Sequence, residues 1–98
     1  MKNHTKIYFK YFNYTGQEYI ECEICNSAPS VDIHHIVSRG MGGVKNNRLD
    51  VIFNLMAVCR ACHDKYGDNP EQLEFLVKQH AKTMKMNFKI LMDKMKLI

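Results

Sequence analysis

Cys22-Glu23-Ile24-Cys25 and Cys59-Arg60-Ala61-Cys62-His63 bracket Asp32-Ile33-His34-His35-Ile36 and Asn54-Leu55, and the reading of this stretch decides the fold. Each Cys-x-x-Cys knuckle aims two thiolates at one point, and two such knuckles complete the tetrahedron that zinc prefers. A single redox pair would be a fair rival for either knuckle alone, but two pairs in one short chain favour metal. Four thiolates leave no open position for substrate, so Cys22, Cys25, Cys59 and Cys62 are expected to form a structural zinc site. The segment between the knuckles, residues 26–58, exceeds a simple ribbon and must itself be structured.

Working outward, Val31 to Val37 alternates well enough for a strand and Leu55-Met56-Ala57-Val58 for a second. Between them, Ser38 to Phe53 reads as a long loop with turn residues Arg39-Gly40-Met41-Gly42-Gly43. A helix is expected from about Arg60 to Gly67. Residues 5–20 are dense in aromatics (Tyr8, Phe9, Tyr11, Phe12, Tyr14, Tyr19), with spacing compatible with a helix or a strand. Residues 69–98 read as one long helix, with Asn69 as cap, Pro70 in the first turn and no internal Gly or Pro. Its apolar seam runs through Val77, Ala81, Met84, Phe88, Leu91, Met95 and Ile98, and is expected to pack on the aromatic N-terminal segment.

The chain has 98 residues, enough for a single domain over 1–98 with a thin core that a metal cross-link would reinforce. Lys and Arg number 14 against 10 acidic residues, a net charge of +4 that suits a polyanionic partner without proving one. No stretch reads as a signal peptide or bilayer span, so no membrane association and a cytoplasmic location are expected. Four cysteines in a reducing compartment again favour metal over disulfides.

The ordered set Cys22-x-x-Cys25, Asp32-Ile33-His34-His35-Ile36, Asn54-Leu55 and Cys59-x-x-Cys62-His63 resembles the HNH (His-Me finger) endonucleases, in their four-cysteine zinc form. The resemblance covers residues 21 to about 67 and implies an α+β chain built on a ββα-metal core. It implies metal-dependent hydrolysis of DNA phosphodiesters, leaving 5′-phosphate and 3′-hydroxyl ends. By the same resemblance His35 is the general base, Asn54 holds the loop that orients it, and His34 and His63 ligate a catalytic Mg²⁺ or Mn²⁺. Some relatives add a His one helical turn beyond His63; here Gly67 stands there.

Elementary chemistry agrees with these roles. Adjacent strand residues point to opposite sides, so His34 and His35 cannot both grip one ion in a regular strand. Imidazole titrates near neutrality, the range needed to take a proton from water. Asp32, two before His34, is expected to orient that imidazole, with direct ligation as the alternative. His4 and His80 match no motif and read as structural or solvated. Arg39 and Arg60 are candidate phosphate contacts. On a continuous C-terminal helix Lys78, Lys82, Lys85, Lys89 and Lys96 would form one basic stripe for DNA. The unpaired lysines flanking the apolar seam favour a monomer over a homodimer. Rival readings are a non-catalytic zinc-scaffolded DNA-binding module and a protein-interaction module. A zinc deaminase is disfavoured, because no His-x-Glu precedes a Pro-Cys-x-x-Cys. The small free-standing size points towards a phage or prophage.

Overall fold

The computed structural model describes residues 1–37, 49–67 and 69–96. Its centre is an antiparallel hairpin of β1 (Asp32–His35) and β2 (Leu55–Val58), paired Asp32 with Val58, Ile33 with Ala57, His34 with Met56 and His35 with Leu55. Strand alternation gives this small sheet two faces. One carries Ile33, His35, Leu55 and Ala57; the other carries Asp32, His34, Met56 and Val58.

Helix α1 (Asn3–Phe12) covers the first face, which decides the ambiguous aromatic segment in favour of a helix. Tyr8 and Phe12 lie one turn apart with ring centroids at 4.7 Å, and Tyr8 packs with Ile33, Leu55 and Ala57. Asn13 ends the helix in a left-handed conformation, a role this residue type tolerates. The second face packs against α3 (Leu73–Met84) and α4 (Phe88–Met95), where Ile36, Met56 and Val58 meet Leu76, Val77, Ala81, Leu91 and Met95. Helix α2 (Arg60–Tyr66) follows β2 directly and completes the ββα unit.

Two expectations for the C-terminal segment need correction. Residues 69–98 are not one helix: a 3₁₀ turn over Pro70–Gln72 leads into α3, Lys85 turns left-handed at φ 55°, and Asn87 caps α4 by accepting from the N–H of Lys89 at 2.8 Å. A continuous helix of thirty residues would be ~45 Å long, whereas the longest dimension of the molecule is 33 Å. Folding back at Lys85 lets Val77 and Ala81 share a core with Leu91 and Met95. The seam packs on the hairpin face carrying Met56 and Val58, while Tyr8 of the aromatic segment lies in the other cluster.

A buried carboxylate ties these layers together. Glu23, inside the first knuckle and 5% exposed, accepts from the Tyr8 hydroxyl (2.5 Å) and the Ala57 N–H (2.8 Å). Its other oxygen meets Nδ1 of fully buried His80 at 2.7 Å, and His80 Nε2 donates to the carbonyl of Ile52 at 2.9 Å. His80 is therefore structural, the first of the two roles expected for it. Burial, followed by the charge of Glu23 and the hydrogen bond to it, pushes the Tyr8 hydroxyl far above the ordinary tyrosine range.

Candidate active site and metal centre

The four cysteines converge. One sulfur from each of Cys22, Cys25, Cys59 and Cys62 lies within 4.8 Å of the others, with Cys25 and Cys59 Sγ atoms 3.9 Å apart. Tetrahedral thiolates on zinc, at Zn–S ~2.3 Å, stand about 3.8 Å from each other, so the donor set fits the ion. Local backbone builds the knuckles: the Ile24 N–H points at Cys22 Sγ (3.4 Å), and the Cys62 N–H at Cys59 Sγ (3.5 Å) as α2 begins. Hydrogen bonds from Ser27 lower the Cys25 thiol to about 6, while burial and the neighbouring sulfurs push Cys62 up. Four crowded sulfurs of this kind become thiolates together when a cation balances them.

Beside this cluster, the hairpin edge, α1 and α2 enclose a polar cleft of about 220 Å³, lined by Lys2, His4, Asp32, Ile33, His34, His35 and His63. His34, 6% exposed, and His63 on α2 meet at 4.9 Å between ring centroids, edge to face. Two imidazoles sharing one ion at ~2.0–2.1 Å bring their centroids to roughly 4.5–5.2 Å, so this pair can hold a metal. Asp32 lines the same cleft. Gly67 allows the close approach of α2 to β1. A Cβ there would stand 2.5 Å from the carbonyl oxygen of His63 and 3.3 Å from Cε1 of His34, so a side chain at this position would require the end of α2 to shift.

His35 faces a different set of partners. Its Nε2 hydrogen-bonds Asp50 Oδ1 at 2.7 Å, Asn3 donates to Asp50 Oδ2 at 2.9 Å, and the His4 ring lies 4.5 Å from that of His35. Burial opposes ionisation of Asp50, yet hydrogen bonds from Asn3 and His35 and the field of both imidazoles hold its carboxyl below the usual range. Burial, followed by His35, lowers His4 below the usual imidazole value. Asn54, fully buried, works from beneath: Oδ1 accepts from the Val37 N–H (2.8 Å), and Nδ2 donates to the carbonyls of Val37 (3.2 Å) and Leu49 (2.9 Å). It thereby joins Val37, just after His35, to Leu49, just before Asp50.

Sequence reasoning missed Asp50 and set His4 aside. No spacing rule ties either to His35, because the Asn54 clasp on Val37 and Leu49 and the docking of α1 make those contacts. Arg39 lies outside the described residues. Arg60 is exposed beside Asp64 at 4.0 Å. The single basic stripe drawn on one helix does not hold. Lys78 and Lys82 belong to α3, Lys85 is its left-handed cap, and Lys89 and Lys96 follow the turn. Lys78 also reaches Glu74 at 3.5 Å, and Lys96 reaches Asp93 at 3.8 Å.

Residues 22–69 match the model of the HNH endonuclease family. Together with the hairpin, the helix and the four-cysteine cluster, the match identifies this segment as an HNH domain of the ββα-metal type. HNH domains are usually nucleases and act on DNA, so a nuclease or DNA-binding function follows at that level. No match is found among curated proteins or among solved structures. Among the described residues no helix is long and apolar enough to cross a membrane.

Proposed function

We propose that this chain is a metal-dependent DNA endonuclease, in which His35 takes a proton from the attacking water. The observation that carries the reading is the convergence of two different histidine environments on one cleft: a ligand-like pair, His34 and His63, and a hydrogen-bonded imidazole, His35, held by Asp50. With Nε2–H donated to Asp50, Nδ1 of His35 keeps the lone pair that a base requires, the logic by which a carboxylate fixes a histidine tautomer. Asn54 holds the two chain ends that bring His35 and Asp50 together. A divalent ion such as Mg²⁺ or Mn²⁺ held by His34 and His63 would stabilise charge on the phosphorane and on the leaving 3′ oxygen. Asp32 orients His34 from the same strand face, and water and phosphate oxygens complete the coordination. The four cysteines hold a structural zinc that fixes His63 next to Cys62. Arg39, Arg60 and the C-terminal lysines Lys78, Lys82, Lys85 and Lys89 contact phosphates.

The test is incubation of supercoiled plasmid with the purified zinc-bound protein, with and without Mg²⁺ or Mn²⁺. Nicked or linear products that depend on the added ion support the reading. Intact plasmid retained by the protein under every ion condition favours the non-catalytic DNA-binding module instead.

A further inference from the structure

We propose that His4, His35 and Asp50 form a second metal site, suited to a borderline transition ion such as Zn²⁺, and that filling it takes His35 out of catalysis. The inhibitory half rests on the proposed nuclease reading; the binding half does not.

Three separate parts of the chain deliver this donor set. His4 comes from the first turn of α1, His35 from the end of β1, and Asp50 from just before the 3₁₀ turn Ile52–Asn54 that leads into β2. One ligand atom from each lies within 4.8 Å of the others. The His4 and His35 centroids, 4.5 Å apart, match two imidazoles bound side by side on one ion, which fall at roughly 4.5–5.2 Å. All three residues are partly buried, so solvent can fill the remaining coordination positions. Asn3 already grips the second oxygen of Asp50 at 2.9 Å, the kind of outer contact that orients a metal-binding carboxylate. Two imidazoles and one carboxylate favour zinc, cobalt or nickel, whereas magnesium prefers oxygen ligands and water. Asp50 and the nearby Asp32 supply negative field, against which Lys2 is the opposing charge.

The effect on His35 follows from counting its protons. A neutral imidazole carries one N–H and one lone pair. In the hydrogen-bonded state the N–H is Nε2–H, facing Asp50, and the lone pair is on Nδ1. An ion at Nε2 takes a lone pair there, so the ring's single proton must move to Nδ1. No lone pair then remains to accept a proton from water. Asp50 exchanges its hydrogen bond for a bond to the ion, and His4 adds the third ligand.

The experiment uses protein with its four-cysteine site already filled, dialysed to equilibrium against low-micromolar Zn²⁺ without Mg²⁺. Bound zinc is counted for the parent, His4→Ala, His4→Gln, His63→Ala and the His4→Ala/His63→Ala double variant, with circular dichroism confirming each fold. The expected result is one equivalent fewer in both His4 variants than in the parent, and one fewer in the His4→Ala/His63→Ala double variant than in His63→Ala alone. In Mg²⁺-supported plasmid cleavage, the Zn²⁺ concentration giving half inhibition should rise about ten- to a hundredfold in His4→Ala. Equal zinc counts in parent and His4 variants, or loss of the extra equivalent only in His63→Ala, would overturn the site. If the parent cuts no DNA, the zinc count still decides the binding claim separately from the nuclease reading.

Discussion

His35 and Asp50 lie 15 positions apart, and their 2.7 Å contact makes sense only once Asn54 has drawn Val37 and Leu49 together. Cysteine knuckles and the His-His pair were legible because metal and proton chemistry restrict residue type over a few positions. Asp50, His4 and Glu23 were not, because their partners are chosen by tertiary contact; Glu23 and His80 are separated by 57 positions. Tyr8 shows what such a contact does to a single group. Its hydroxyl is held protonated by burial and by Glu23, so its pKa is raised on folding. A raised value means that the stabilisation is complete below the unfolded tyrosine value of ~10 and is lost as pH rises beyond it. Urea unfolding of the parent should therefore show falling stability from about pH 10 upward, and Tyr8→Phe should have a shallower alkaline decline. Equal slopes would separate Tyr8 from the alkaline response.

The hairpin and α2 appear where alternation and the knuckles placed them, although β1 is limited to Asp32–His35 rather than running from Val31 to Val37. The aromatic segment could not be assigned from spacing, since its helical form depends on a hairpin face to cover. The C-terminal break had one local signal, Asn87, a residue type favoured at a helix N-cap, but it was not enough to place the turn. Lys85 carries no breaker signature, and the turn serves the core rather than local propensity. Gly67 is the position where an element boundary bears most directly on the site. A methyl group added there would stand 2.5 Å from the carbonyl oxygen of His63 and 3.3 Å from Cε1 of His34. Gly67→Ala should therefore force the end of α2 away from β1 and weaken divalent-ion binding by His34 and His63 by at least about tenfold. Titration with Mn²⁺ followed by electron paramagnetic resonance reads this directly, and unchanged Mn²⁺ affinity would show that the helix end is not coupled to the pair.

At the scale of the molecule, two apolar clusters flank a two-stranded sheet, and the thiol cluster joins the first knuckle to α2. With so thin a sheet, a zinc ion on the four cysteines would carry much of the stability, on the order of ten kcal/mol. Chelation, or Cys59→Ser, should abolish cooperative thermal unfolding by circular dichroism; a sharp transition in metal-free protein would contradict a structural role. The basic charge now has to act across a bent pair of helices rather than along one stripe. If Lys78, Lys82, Lys85 and Lys89 contact phosphates, changing all four to Gln should flatten the slope of log affinity against log salt by about two or more. An unaltered slope would leave these lysines as solubilising surface. Whether His35 is a base acting on water within an HNH domain is tested by one paired measurement on His35→Ala. Plasmid cleavage in Mg²⁺ or Mn²⁺ and DNA retention in the absence of cleavage are recorded on the same zinc-counted sample. Cleavage should fall by ~10²–10⁴-fold, with zinc content and DNA retention kept; cleavage at the parental rate would contradict His35 as the base.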